Sequence, residues 1–288
     1  MSCCYAGKTG KASGGSGGEG EAGEMQFIVQ GYPAFAYTGG RPYAPKAPAI
    51  VFIHGAAFDH SVWQWQSRYL ANHGFTVLAP DLPAHGKSPG GARKSIADMA
   101  DWVAALIEAA ALEQAALVGH SMGSLVALET ALRHPARVAR LALVGTSAPM
   151  PVGEPFIAAA RDDHPAAFDM EVTWGHARGM ALATSPVPGT TLPGASRALN
   201  GRAHAGVLAA DLAACNAWQP GIDQIRALKI PTLVVVGRRD QMTPQKAGRA
   251  LAAEIPGAKV VTLDAGHSMM SEKPRELLEA LRDFLGSR

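Results

Sequence analysis

The stretch Ala115-Ala116-Leu117-Val118-Gly119-His120-Ser121-Met122-Gly123-Ser124 changes periodicity half-way along. Its apolar first half is short enough for a buried strand, and Leu125, Val126, Leu128 and Leu132 beyond it recur at helical spacing. The pattern predicts a strand, a sharp turn and a helix, with Gly-x-Ser-x-Gly at the turn. Glycines on both sides let strand and helix approach closely while Ser121 is held at the apex, its hydroxyl projecting from the top of a sheet. The pentapeptide by itself is a weak signal. Gly14-Gly15-Ser16-Gly17-Gly18 also matches it, yet no apolar run precedes that stretch and no helical pattern follows. An ordinary Gly-rich turn at Ser121 is the competing reading, and only partners elsewhere in the chain decide against it.

Outward from this turn, strands and helices alternate. Toward the N-terminus, residues 26–30 and 34–37 read as two short strands around Gly31, an antiparallel start to the sheet. Residues 49–53 are apolar throughout, as expected of a strand buried on both faces, and end in His54-Gly55-Ala56-Ala57. A helix over about 61–72, a strand over 75–79 and a Pro/Gly loop over 80–88 follow. Ser95, with Asp98 three residues on, marks the start of a helix carrying Ile96, Met99, Val103, Leu106 and Ile107. Beyond the Ser121 helix, stopped by His134-Pro135, residues 138–144 read as another strand. The alternation then breaks. Residues 148–223 are rich in Ala, Gly, Pro and His, with a loop over 184–189, and read as an inserted, partly helical cap. It resumes with a strand over 231–237, a helix capped by Thr243 with Pro244 first, a strand over 259–263 and a closing helix. That last helix starts near Ser271 and Pro274 and has Leu277, Leu278, Leu281 and Leu285 on its buried face.

The expected organisation is a disordered Gly/Ser-rich tail over 1–24, a core formed by 25–147 and 224–288, and a cap over 148–223. With 288 residues, 48% of them hydrophobic, the chain suits one globular domain with an insertion. A formal net charge of +2, without a basic run, argues against a nucleic-acid partner. No apolar stretch is long enough for a membrane span, and residues 1–24 lack the apolar segment of a signal peptide. Cys3, Cys4 and Cys215 form neither a disulfide framework nor a metal pair, which fits a reducing, cytoplasmic setting. Nothing in the pattern fixes the oligomeric state.

A serine hydroxyl needs a histidine to take its proton and a carboxylate to hold that histidine's tautomer. Asp240, in Gly237-Arg238-Arg239-Asp240, follows one apolar strand, and His267, in Asp264-Ala265-Gly266-His267-Ser268, follows the next. Both therefore fall at strand C-termini, the edge of a parallel sheet where sites gather. Glu154 and Asp264 are alternative carboxylates; only Asp240 follows the strand before the histidine's own.

With these residues in place, the chain resembles the α/β-hydrolase-fold serine hydrolases over about residues 25–286, Gly119-His120-Ser121-Met122-Gly123 being the nucleophile elbow. The His54-Gly55 turn and the Asp81-Leu82-Pro83-Ala84-His85-Gly86-Lys87-Ser88 loop carry the resemblance further. The resemblance implies a mostly parallel sheet flanked by helices, with Ser121 as nucleophile, His267 as general base and acid, and Asp240 as its orienting carboxylate. It also implies an oxyanion hole formed by the backbone N–H groups of Ala56 and Met122. The chain departs from the family at Ala84 and Ser124, where glycine is usual; both residues are small. A serine nucleophile disfavours the epoxide hydrolase and haloalkane dehalogenase branches, and Ser268 directly after His267 weighs against carbon–carbon bond hydrolases.

The expected reaction is hydrolysis of a small carboxylic ester or lactone through an acyl-enzyme. Alternatives within the fold are a cofactor-free haloperoxidase or perhydrolase, a carbon–carbon bond hydrolase and a non-catalytic ligand-binding protein. No metal and no cofactor is expected: His164, His176 and His204 lack ligand spacing. His54 and His120 are expected to brace the turn and the elbow. Trp63, Trp65, Met269 and Met270 are candidates for either pocket or core, and Phe156, Trp174, Met180 and Leu182 for the lining contributed by the cap.

Overall fold

Strand β5 (Ala115–His120) runs through the middle of an eight-stranded sheet and is buried along its whole length. The computed structural model describes residues 23–162, 164–179 and 190–286. The other strands are β1 (Glu24–Val29), β2 (Tyr32–Tyr37), β3 (Ala49–Ile53), β4 (Thr76–Pro80), β6 (Val138–Val144), β7 (Thr232–Gly237) and β8 (Lys259–Leu263). Their order is β1-β2-β4-β3-β5-β6-β7-β8, with β1/β2 and β2/β4 antiparallel and every later pair parallel.

The unbroken apolar runs follow from helices covering both faces of this sheet. Val51, Ile53, Leu117, Leu141, Leu143, Val234 and Val236 point into one core; Ile50, Phe52, Val118, Ala142, Val144, Leu233 and Val235 point into the other. The first core is closed by α2 (Ile96–Ala109) and α3 (Met122–Arg133), whose Met99, Trp102, Leu125 and Leu128 are buried there. The second is closed by α1 (Gln64–Ala71) and a C-terminal helix that contributes Leu277, Leu281, Phe284 and Leu285. Leu277 and Leu281 are fully buried, each contributing about 1.5–3 kcal/mol, so the apolar stripe more than helix propensity fixes that helix.

Between β6 and β7 the chain forms a helical insertion: α4 (Glu154–Asp162), α5 (His164–Gly175), α6 (Leu192–Asn200), α7 (Val207–Ala217) and α8 (Ile222–Arg226). The expected core boundary at 224 falls inside α8, and Glu24, placed in the tail by its composition, instead opens β1 opposite Tyr37. After β7 come α9 (Gln245–Glu254), α10 (Met269–Glu272) and α11 (Pro274–Gly286). The single closing helix of the sequence reading is thus two. Pro274 disfavours helical backbone at Lys273, which adopts φ −137° and ψ 55°. The helix expected from 61 likewise opens as a 3₁₀ turn over His60–Trp63, capped by Asp59 accepting from Ser61 N at 2.8 Å. No helix among the described residues is long and apolar enough to cross a membrane. Expectations for the tail up to residue 22, the loop at 184–189, and Met180 and Leu182 lie outside the described residues.

The two glycines flanking Ser121 are required by close approach. A Cβ on Gly119 would lie 2.0 Å from Gly123 O, and one on Gly123 would lie 2.3 Å from Ile53 O. Both obstacles are backbone atoms of packed elements that cannot yield cheaply. Gly119→Ala and Gly123→Ala are each expected to destabilise the fold by about 3 kcal/mol or more in urea unfolding. Gly91→Ala, where a Cβ meets nothing within 4 Å, should stay within about 0.5 kcal/mol of the parent. Equal stability of all three variants would show that the strand-to-helix approach is looser than described.

Candidate active site

Ser121 adopts φ 53° and ψ −122°, a conformation that a residue with a Cβ rarely takes. It is held there by Ser121 N donating to Val144 O at 3.0 Å and by Ser124, whose N and Oγ both donate to Ser121 O at 2.8 and 2.6 Å. The turn lies at the C-terminal edge, where the chain order reverses: β4 lies on one side of β3 and β5 on the other. A crevice opens at such a reversal between the strand ends. Ser121 and Ala56 both line a cavity of about 530 Å³ there, together with Met150, Phe156, Glu171, Trp174, Leu212 and Met242.

Asp240 and His267, from the loops after β7 and β8, meet with Asp240 Oδ2 2.8 Å from His267 Nδ1. Glu154 opens the exposed start of α4 and Asp264 pairs with Arg239, so among the three candidate carboxylates Asp240 is the one bonded to the histidine. Its Oδ1 accepts from the backbone N of Met242 and Thr243 at 2.9 and 2.8 Å, and its Oδ2 also accepts from Thr243 Oγ1 at 2.7 Å. Thr243 therefore anchors the carboxylate and does not cap α9; Pro244 occupies the cap position. Burial works against the charge of Asp240, but His267 and the Thr243 hydrogen bonds outweigh it and hold the carboxyl below its ordinary value. A carboxylate with only acceptor atoms fixes Nδ1 of His267 as the donor, so in the neutral ring it is Nε2 that carries the lone pair. That Nε2 is buried and has no hydrogen-bond partner among the described residues.

His120 Nε2 donates to His267 O at 2.9 Å, and the two rings stand 4.6 Å apart. Burial, together with the neighbouring His267, lowers the pKa of His120 to about 3, so it braces the loop as a neutral ring. His54 is similar: its Nε2 accepts from Leu82 N at 3.0 Å, so Nδ1 carries the proton and donates to Gly55 O at 2.9 Å. Desolvation lowers its pKa to about 4. The turn after β3 is thereby tied down at Gly55, and Phe58 N donates to Gly55 O at 3.3 Å. Met122, fully buried, opens α3, where backbone N–H groups have no intrahelical acceptor.

Asp211 was invisible to the sequence reading. It stands on α7, in an otherwise apolar run, and is fully buried. Its Oδ2 accepts from Ala57 N at 2.9 Å and from His85 Nε2 at 2.8 Å. Ala57 has φ 55°, so the helical insertion grips a strained residue directly after Ala56. Both ring nitrogens of His85 face acceptors, Pro83 O at 3.0 Å and Asp211. Burial opposes a charged ring, but the Asp211 carboxylate prevails and raises the pKa of His85. The only cue in the sequence is a lone charge amid Ala and Leu. Asp211→Leu is expected to leave Ala57 N–H and His85 unpaired, to cost about 3–5 kcal/mol and to lower kcat about 10²-fold or more, with KM changed less. Asp211→Asn keeps an acceptor for Ala57 and should stay within about tenfold of the parent kcat. A folded Asp211→Leu protein with parental kcat would reduce Asp211 to packing.

The tryptophans and methionines divide. Trp63 is fully buried against Phe52, and Met269 is core. Trp65 is 45% exposed and borders a different cavity with Met270. Of the expected lining residues, Phe156 and Trp174 reach the Ser121 cavity, their rings edge-to-face at 5.5 Å. Among the described residues, Asp59, His60 and Asp81 are grouped closely enough to suggest a cation site. Their oxygens are already engaged: Asp81 by His60 and by the backbone N of His60 and Lys87, Asp59 by Ser61 and Arg202. The cluster is a structural network.

Residues 50–280 match the family model described as "Alpha/beta hydrolase family". The chain belongs to the alpha/beta hydrolase family. The sheet order, the helices on both faces and the strand-to-helix turn at Ser121 are the α/β-hydrolase fold. Among relatives in this family, the chain is 30% identical over 262 residues to the pimeloyl-[acyl-carrier protein] methyl ester esterase of Aromatoleum aromaticum, covering 83% of this chain and 98% of that one. It is 33% identical over 260 residues to the dihydrolipoyllysine-residue acetyltransferase component of the acetoin cleaving system of Cupriavidus necator, covering 85% of this chain and 66% of that longer protein. In structure it is similar to the enol-lactonase of Burkholderia xenovorans LB400, with a TM-score of 0.81 and 26% identity, covering 91% of this chain and all of that one.

Proposed function

We propose that this hydrolase-family member cleaves small carboxylic esters or lactones through an acyl-enzyme on Ser121. One observation carries the reading: His267, its Nδ1 bonded to Asp240, presents a buried Nε2 without a hydrogen-bond partner among the described residues, at the sheet edge where Ser121 is held on a strained turn facing a largely apolar cavity. In the proposed sequence, Ser121 Oγ attacks the carbonyl carbon while His267 Nε2 takes its proton. The tetrahedral oxyanion receives hydrogen bonds from the backbone N–H groups of Ala56 and Met122. Collapse expels the alcohol, which takes the proton from His267. Water, deprotonated by the same nitrogen, then attacks the acyl-enzyme, releasing the acid and restoring Ser121.

The esterase and lactonase descriptions of the relatives support the same class of reaction. We read the insertion at 148–223 as a cap that sets which substrate enters, since Phe156, Trp174, Glu171 and Leu212 all come from it while Ser121, Asp240 and His267 lie on the core. The test is a pH-stat panel of acetyl to octanoyl esters and of four- to seven-membered lactones, run with and without peroxide. Turnover of one series without peroxide is expected. Peroxide-dependent product alone would point to perhydrolase chemistry, and saturable binding without turnover to a receptor.

A further inference from the structure

The Ser121 cavity contains one carboxyl group that the proposed reaction does not use. Glu171, on α5, is 7% exposed and lines the cavity whose other walls include Met150, Phe156, Trp174 and Leu212. Among the described residues the hydrogen bond to its carboxyl group comes from Asn200 Nδ2, which donates to Oε2 at 3.0 Å. No cation pairs with it there. We propose that Glu171 is the specificity-determining residue of this site, donating a hydrogen bond from Oε1 to an oxygen that the substrate carries away from its scissile ester, so that oxo-substituted esters are preferred over plain ones. The inference rests on the ester-hydrolase reading and names its substrate class.

Desolvation, with Asp211 nearby, raises the pKa of Glu171 to about 8, so at neutral pH the group is a carboxylic acid. Its Oε2 is occupied as an acceptor by the Asn200 N–H, which puts the acid proton on Oε1. A buried O–H in an apolar cavity is costly to leave unpaired, so a substrate oxygen in reach of it is selected and an alkyl group of the same shape is penalised. The titratable groups around it are Asp211, paired with His85, and Cys215, whose thiol burial pushes up; both lie on α7. α6 presents Asn200, α4 presents Phe156, and the loop before α9 presents Gln241, Met242 and Thr243, none of them charged.

The experiment compares straight-chain C4–C8 esters with analogues of equal length bearing one keto oxygen, moved stepwise along the acyl and then the alcohol side. Wild type is expected to favour one keto position by about tenfold or more in kcat/KM at pH 7, the preference falling above pH 8 as Glu171 ionises. Glu171→Leu should bring the preference within about threefold of unity while plain esters are still hydrolysed. Glu171→Gln, whose amide accepts from Asn200 and donates into the cavity, should keep the preference and lose its decline above pH 8. Should Glu171→Leu fail to fold, the pH profile of Glu171→Gln decides. Hydrolysis without any keto preference, or a preference surviving in Glu171→Leu, overturns this proposal alone. Failure of wild type on every ester in both series overturns this proposal, and failure on the lactone panel as well overturns the reading beneath it.

Discussion

Replacing Ser121 with Ala is expected to lower kcat for ester hydrolysis by about 10⁴- to 10⁶-fold, because the covalent route disappears and only binding and oxyanion stabilisation remain. The loss should not come from unfolding. Alanine keeps the Cβ at φ 53° and ψ −122°, so it keeps both the turn and its strain. Ser121→Gly separates strain from chemistry: it should be equally inactive yet more stable by about 1 kcal/mol, since glycine takes this conformation without a Cβ penalty. Steady-state kinetics beside urea unfolding of the three proteins checks both halves. Substantial turnover by Ser121→Ala would move the nucleophile elsewhere, or replace it with a water activated directly by His267.

Asp240→Asn is expected to lower kcat by about 10²- to 10⁴-fold. Four hydrogen bonds converge on the native carboxylate, from Met242 N, Thr243 N, Thr243 Oγ1 and His267 Nδ1. An asparagine can satisfy the backbone donors with its oxygen, but it then offers an N–H toward His267. The ring answers by moving its proton to Nε2, the nitrogen that must accept from Ser121. Asp264→Asn, which removes only a surface partner of Arg239, should leave kcat within about twofold. The variant also reads out stability. With its pKa held below the ordinary 3.8, Asp240 contributes stability that is present above that value and lost as pH falls through its folded-state pKa. The stability gap between wild type and Asp240→Asn should therefore narrow below about pH 3.8 and be full at neutral pH. Parental activity in Asp240→Asn would assign the orienting role to another group.

The sequence made the core legible because each of its strands is buried on both faces and each buried helix carries one apolar stripe. The β3, β5, β6 and β7 runs, and Leu277, Leu281 and Leu285, announce themselves by composition and spacing alone. Ser121, Asp240 and His267 were legible for a second reason: each follows a recognisable strand, and strand ends share one edge of a parallel sheet. Thr243 was misread because a threonine before Pro-Gln has the form of a helix cap, while its real partner, Asp240, depends on how the preceding loop folds back. Asp211 and Glu171 were missed for a deeper reason. Their partners Ala57, His85 and Asn200 are 154, 126 and 29 residues away, and no periodicity in a helix encodes what lies opposite it. A lone acid on a buried apolar helix face is the one trace such sites leave in sequence.

Every step of the proposed reaction requires Ser121 to be an activated nucleophile. Incubation with a fluorophosphonate, followed by intact mass and peptide mapping, reads this directly, because the phosphorus centre is attacked by an activated serine and mimics the tetrahedral intermediate. One phosphonyl adduct per chain is predicted, located on the peptide containing Ser121, absent from Ser121→Ala and formed far more slowly in Asp240→Asn. Equal labelling of wild type and Ser121→Ala, or an adduct confined to any other residue, would contradict it.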